Sequence, residues 1–197
     1  MMIRRWACAL ALVALSLAPA AHAQDAYTID PVHSSLAFKA RHMMVSDVKG
    51  FFDTFSGSIK LDAAKIENSS VEVTIDATSV STKNAKRDGH LKSADFFDVE
   101  KYPTITFKSK KVAKKGDQWV ATGDLTMHGV TKEIELPFTL TGPVSAGDAS
   151  LVGITASAEL NRQDFGISWN KTLDSGGVVV GDKIKIEIEV EAKKQTS

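Results

Sequence analysis

The chain has 197 residues, 43% hydrophobic and 24% charged, with 24 Lys plus Arg balanced by 24 Asp plus Glu. That is one domain's worth of ordinary globular composition, which argues against disordered, collagen-like and coiled-coil classes. One cysteine cannot build an internal disulfide framework, and no nucleic-acid partner is expected: the densest basic run, Lys108-Ser109-Lys110-Lys111 and then Lys114-Lys115, reads as solvated lysines beside a hairpin.

Residues 1–23 divide into a basic start with Arg4 and Arg5, an apolar stretch from Trp6 to Leu17, and small residues ending in Ala21-His22-Ala23. This is the pattern of a secretory signal peptide cleaved after Ala23, leaving a single domain at 24–197 that is exported and soluble. The apolar run is shorter than the roughly 20 residues a membrane helix needs. Cys8 lies inside it, away from the position of a lipid-modified cysteine, and a paired-arginine export signal is the weaker alternative. Cleavage removes two arginines and no acid, so the mature domain carries a formal charge of −2.

Period-two alternation, the mark of strands with one dry and one wet face, recurs through the mature chain. It is read at Ser34 to His42, Gly50 to Leu61, Val71 to Thr78, Thr104 to Val112, Gln118 to Met127, Glu133 to Leu140, Leu151 to Asn161 and Ile184 to Glu191. Turn chemistry separates several of them: Lys115-Gly116-Asp117, His128-Gly129, Thr141-Gly142-Pro143 with Gly147-Asp148, and Gly181-Asp182. Such spacing indicates an antiparallel meander rather than crossover units. Ser81 to Asp98 breaks the period, with Leu91, Ala94 and Phe97 at three-residue spacing, and reads as one helix or two short ones. Ser81 or Thr82 is the expected cap and Ser93 the cap of a second turn. Arg162 to Asp182 is a long irregular stretch of the kind that is functional or disordered.

Eight long antiparallel strands must manage their edges, and closing into a barrel removes them, with a sandwich as the main competitor. Ten-residue strands tilted by about 40° stand about 25 Å tall, so the expected all-β barrel is elongated. The inward set is Leu36, Phe38 and Ala40, Val71, Val73 and Ile75, Ile105 and Phe107, Ile134, Leu136 and Phe138, and Ile184, Ile186 and Ile188. Such a set is a packed core in most β-proteins; the sharper alternative is a partly open tunnel for an apolar chain.

Catalytic patterns are poor. No Gly-x-Ser-x-Gly elbow occurs, the four histidines of the mature chain, His33, His42, His90 and His128, show no zinc-type spacing, and glycine-rich phosphate loops are absent. A metal site assembled from separate strands and a triad built on His33-Ser34 with a distant Asp remain open at this level. His42, in phase with Phe38 and Ala40, suits a core or rim histidine; Arg87, Asp88 and His90 suit an ion pair or a cap to a neighbouring loop. Phe165 and Trp169 are the aromatic residues of the long loop, suited either to a ligand portal or to packing the loop on the barrel.

Taken in order, several short motifs resemble the YceI family of exported lipid-binding proteins. They are Asp30-Pro31-Val32-His33-Ser34 with Phe38 and His42; Gly50-Phe51-Phe52 with Phe55 and Gly57; and Asn84-Ala85-Lys86-Arg87-Asp88-Gly89-His90-Leu91 followed by Ser93-Ala94-Asp95-Phe96-Phe97-Asp98 and Tyr102-Pro103. Gly123-Asp124-Leu125-Thr126, Gly129-Val130-Thr131 and Asp164-Phe165-Gly166 complete the set. The resemblance implies a lipocalin-like, elongated eight-stranded barrel with a helix over part of it, holding a polyisoprenoid, isoprenoid quinone or related amphiphile. It also implies periplasmic export, no catalysis or cofactor beyond the bound lipid, and a link to stress responses or quinone metabolism. Transient membrane contact and a homodimer are further expectations of the same kind. On this reading the ligand's chain lies along Phe38, Val73, Ile75, Ile105, Phe107, Leu125 and Phe138, and its head lies near His42 and the loop bearing Phe165 and Trp169. Two rivals stand beside it: an interaction module whose barrel is a packed core, and a hydrolase or isomerase with His33 or His42 as general base.

Overall fold

A computed structural model describes residues 24–196 apart from 175, so the expected leader at 1–23 lies outside the described residues. The alternating segments form strands: β1 (Asp25–Ile29), β2 (Ser35–His42), β3 (Ser46–Phe52), β4 (Phe55–Leu61), β5 (Ser70–Asp76), β6 (Val80–Ser81), β7 (Thr104–Lys115), β8 (Gln118–Met127), β9 (Val130–Ala146), β10 (Ala149–Asn161) and β11 (Val180–Lys194). They pair antiparallel in the order β1-β4-β5-β7-β8-β9-β10-β11-β2-β3-β6, and a further β1–β11 pairing closes the ring. Tyr27 therefore faces Ile59 on one side and Lys194 on the other. β11 is long enough to pair with β2 through its first half, Ile186 opposite Phe38, and with β1 through its second.

The eleven segments amount to an eight-stranded closed barrel, because three of its strands are broken. β1 and β2 are successive parts of one strand, as are β3 and β4, and β5 and β6; since the strands alternate in direction, β1, β4 and β5 pair together at one end and β2, β3 and β6 at the other. This corrects two sequence boundaries. The strand read as Gly50 to Leu61 is interrupted at Asp53-Thr54, and the one ending at Thr78 stops at Asp76, whose side chain caps a 3-10 turn at Ala77–Ser79 by accepting from the Thr78 amide. Two expected turns are instead irregularities within strands. Thr141-Gly142-Pro143 lies inside β9, where the register against β10 shifts, and Gly181-Asp182 lies inside β11, where the register against β2 shifts. The tight turns at Gly116, at His128-Gly129 and at Gly147 are hairpin turns as expected, and His128 and Gly129 both take the positive φ that a two-residue hairpin turn requires.

The helical segment is one helix, α1 (Ala85–Lys92), followed by turns. Its cap is Asn84, whose side chain accepts from the Arg87 amide, rather than Ser81 or Thr82. Ser81 is spent in β6, and Thr82 is buried, its amide and hydroxyl both donating to Asp88 while Arg87 donates to its oxygens. Ser93 ends α1 rather than starting a second helix.

The two ends of the barrel are built differently. At the end near the chain termini, Tyr27, Val152 and Ala192 are 1%, 1% and 0% exposed and fill the interior. At the other end β6 pairs only with β3, and the gap between β6 and β7 is spanned by α1 and residues 93–103. The β2–β3 and β8–β9 turns and the long β10–β11 connection gather at this same end.

Candidate ligand-binding site

The barrel interior encloses a cavity of about 190 Å³ whose lining, apart from Ser69 and Ser70, is wholly apolar. It is lined by side chains from every strand of the ring except β6, because the period-two pattern turns one row of each strand inward. All seven residues placed along a ligand chain by the sequence line it: Phe38, Val73, Ile75, Ile105, Phe107, Leu125 and Phe138. Of the wider inward set, Leu36, Val71, Ile134, Leu136, Ile186 and Ile188 line it as well. Val73, Ile75 and Ile188 are only partly buried despite facing the barrel axis, since the wall opposite them is too distant to cover them. A tightly packed core would bury them completely.

A second cavity, of about 400 Å³, lies at the helix-covered end. Most of its wall is apolar, from Phe38, Ala40, Val48, Leu91, Phe96, Trp169, Val179 and Val180, and Arg41, His42, Asn84, Lys86, Arg87 and His90 supply the polar part. His42 and Trp169 are thus brought together at the rim, as the sequence suggested. The Trp169 ring meets His90 edge-on at 4.7 Å and Phe96 at 5.3 Å, which ties the long loop to α1 and the turn after it. Among the described residues Phe38 alone lines both cavities. Its ring lies directly on Gly50, where a Cβ would come within 2.2 Å of Cζ, and leans on Phe52, which in turn meets Phe97 edge-on.

Phe165 is placed differently from a portal residue. It is 2% exposed in a 3-10 turn at Arg162–Phe165, packs in the core with Ile105 and Phe107, and lines neither cavity. The turn is held by His128, whose Nδ1 lies 3.0 Å from the Phe165 carbonyl and whose ring stacks edge-on against Tyr102. Arg162, which the sequence reading passed over, organises the rest of the loop. It is 4% exposed, donates to the carbonyls of Ile167 and Gly181 at 2.6 and 3.1 Å, and pairs with Asp182 at 3.1 Å. Burial pushes its pKa down, and the charge of Asp182 opposes that. Its partners lie up to twenty positions away, so no local pattern announced it.

The remaining histidines have structural partners. Arg87 and Asp88 cap the Thr82 strand end, and His90 pairs with Asp95 at 2.8 Å. His33 is 63% exposed on the outside of the barrel; the Asp30 carboxylate 2.9 Å from Nδ1 holds its pKa above the ordinary imidazole value. Ser34 Oγ donates to the Glu191 carbonyl and accepts from the Glu191 amide, so the His33-Ser34 pair serves the backbone rather than facing a cleft. Asp30, His33 and Glu191 form the one group of metal-ligand type among the described residues, with three ligand atoms all within 4.8 Å. Asp30 also accepts from the Val32 amide, and the group is accounted for as the turn that joins β1 to β2.

With this geometry in place, comparison with known proteins is informative. Residues 27–192 match the model of the YceI-like domain. A UPF0312 protein of Staphylococcus aureus strain N315 is 36% identical over 167 residues, 84% of this chain and 95% of that protein. Among solved structures, the Campylobacter jejuni YceI protein shares 36% identity at a TM-score of 0.67 and covers 79% of this chain and 90% of its own. Burkholderia cenocepacia BcnA shares the fold at a TM-score of 0.72 and 24% identity, covering 83% and 98% of the two chains. A polyisoprenoid-binding domain from Saccharophagus degradans, implicated in plant cell wall breakdown, shares it at 0.65 and 16%, covering 87% and 99%. A closed eight-stranded ring, a helix across one end and a family match that runs from β1 into β11 all agree: this chain belongs to the YceI-like family.

Proposed function

We propose that the protein is an exported, periplasmic carrier that encloses the tail of a polyisoprenoid or isoprenoid-quinone lipid and shields it from water. The observation that carries this reading is the apolar tunnel itself. At about 24 cal/mol per Å³, a cavity of about 190 Å³ forfeits on the order of 4–5 kcal/mol of packing if the protein alone must line it, and an apolar guest regains much of that. Each methylene buried there is worth up to about 0.8 kcal/mol before ordering costs. A water-filled interior is a poor alternative, since the walls offer almost no hydrogen-bond partners.

The mechanism is burial rather than chemistry: the tail fills the space along Phe38, Val73, Ile105 and Phe107, and the head remains at the helix-covered end, where cationic and imidazole side chains join the apolar lining. The fold shared with a protein described as a polyisoprenoid-binding domain supports the ligand class, and the leader pattern at 1–23 supports export. Native mass spectrometry of the mature protein purified from the periplasm, followed by organic extraction, tests it. A stoichiometric isoprenoid is the expected result; a protein that emerges without lipid and refuses added quinone and polyprenyl lipids overturns it.

A further inference from the structure

The outer cavity differs in chemistry from the tunnel it adjoins. Three permanent cations, Arg41, Lys86 and Arg87, line it together with His42 and His90, and its lining contains no carboxylate among the described residues. Two of the cations are partly engaged: Arg41 with Asp47 at 3.2 Å and the Met44 carbonyl, and Arg87 with the Thr82 oxygens. His90 is engaged with Asp95 from outside the cavity. Lys86, in the first turn of α1, has no ion pair among the described residues, and the His42 side chain has no hydrogen-bond partner among them. Lys86 and His42 thus offer the cavity donor capacity that no partner among the described residues takes up, while Arg41, Arg87 and His90 add positive charge whose neighbouring carboxylates, Asp47, Asp88 and Asp95, are not part of the lining.

Adjacency decides what meets this wall. Phe38 borders both cavities, and the opposite end of the barrel is filled by Tyr27, Val152 and Ala192. A single-tailed amphiphile with its tail in the tunnel therefore presents its head to Arg41, Lys86 and Arg87. A neutral alcohol or quinone head would leave Lys86 without an ion pair and Arg41 and Arg87 with only the partners they already have. An anionic head offers charge-assisted hydrogen bonds, which are about twice as strong as neutral ones, in a partly enclosed space where Coulomb attraction is less screened.

Resting on the carrier reading above, we propose that the outer cavity is a head-group site selective for an anionic head, so that the preferred cargo is an acidic prenyl amphiphile of the phosphate-ester type rather than a neutral one. The apolar side of the same cavity, Leu91 and Trp169 with Phe96, suits the first carbons after the head.

The test compares tail-matched ligands on the full mature protein: a polyprenol, its phosphate monoester, a quinone of the same tail length, and inorganic phosphate alone, with calorimetry and the combined fluorescence of Trp119 and Trp169 as readouts. The phosphate ester is expected to bind at least about tenfold tighter than the alcohol or the quinone, and inorganic phosphate to bind far more weakly than the ester. In the Arg41→Gln/Lys86→Gln protein, both positions being exposed, the ester-to-alcohol ratio is expected to fall towards one. Equal affinities for ester and alcohol, an unchanged ratio in the double variant, or inorganic phosphate binding as tightly as the ester would each overturn the proposal while leaving the carrier reading intact. Failure of all three lipids to bind would overturn the carrier reading and this one with it.

Discussion

Phe38 sits where an apolar cavity meets one of mixed lining, and it reaches that position because residue 50 lacks a side chain. Gly50→Ala would put a Cβ 2.2 Å from the ring's Cζ and force the ring aside. Such overpacking costs about 1–3 kcal/mol, read as a lower urea midpoint. Adding Phe38→Leu is expected to recover most of the loss, because the two positions are in direct contact and their effects should not add. Charge on the outer surface behaves independently of this junction. Lys39 at 2.6 Å and Lys185 at 3.0 Å draw the Glu187 carboxylate down to about 2 from its ordinary 4.5. A carboxylate lowered by folding stabilises the protein above its unfolded value and loses that contribution as pH falls through its folded one. The Glu187→Gln protein is therefore expected to lose less stability than the parent between pH 4.5 and about 2, measured by urea titrations at each pH.

At the scale of elements, the long β10–β11 connection depends on one buried guanidinium. Arg162→Ala leaves the carbonyls of Ile167 and Gly181 without their donor and is expected to cost about 2–4 kcal/mol. Arg162→Lys should recover only part, since an ammonium does not reproduce the fork that reaches Ile167, Gly181 and Asp182 together. Chemical denaturation measures both. The contrast between this loop and the strands shows what was legible. Strands such as Gln118 to Met127 were found residue for residue, because alternation is a local signal written on every second position. The short β1 was missed, having only five residues, and the breaks at Asp53-Thr54 and Ala77–Ser79 were missed because neither contains the Gly or Pro that usually marks them. Six of the seven residues expected along the ligand chain follow from phase, Leu125 joining them only on the resemblance, whereas Phe165 does not: a loop position has no phase, and its turn is tied to His128 across the fold. Asn84 to Leu91 stands out in the sequence as a motif, yet only the tertiary fold brings Lys86 and Arg87 into one cavity with Arg41 and His42.

For the whole molecule, the three broken strands divide the barrel into a closed ring and a lip. In the ring every strand has two hydrogen-bonded neighbours, β1 included. In the lip β6 has one, and α1, only eight residues long, buries none of its side chains fully. Opening the lip breaks few ladder bonds, so native-state hydrogen exchange is expected to show amides of β6, α1 and 93–103 exchanging through local openings that cost less than global unfolding. Amides in β8, β10 and the second half of β11 should exchange only with global unfolding. Uniform protection across both regions would contradict this division.

The filled end has a kinetic consequence. A vessel sealed by Tyr27, Val152 and Ala192 works like a sheath rather than a pipe: whatever enters last leaves first, and the innermost carbons of a guest are the last to be released. Residence time would then lengthen steeply with guest length, while the rate of entry would be set at the lip and depend little on it.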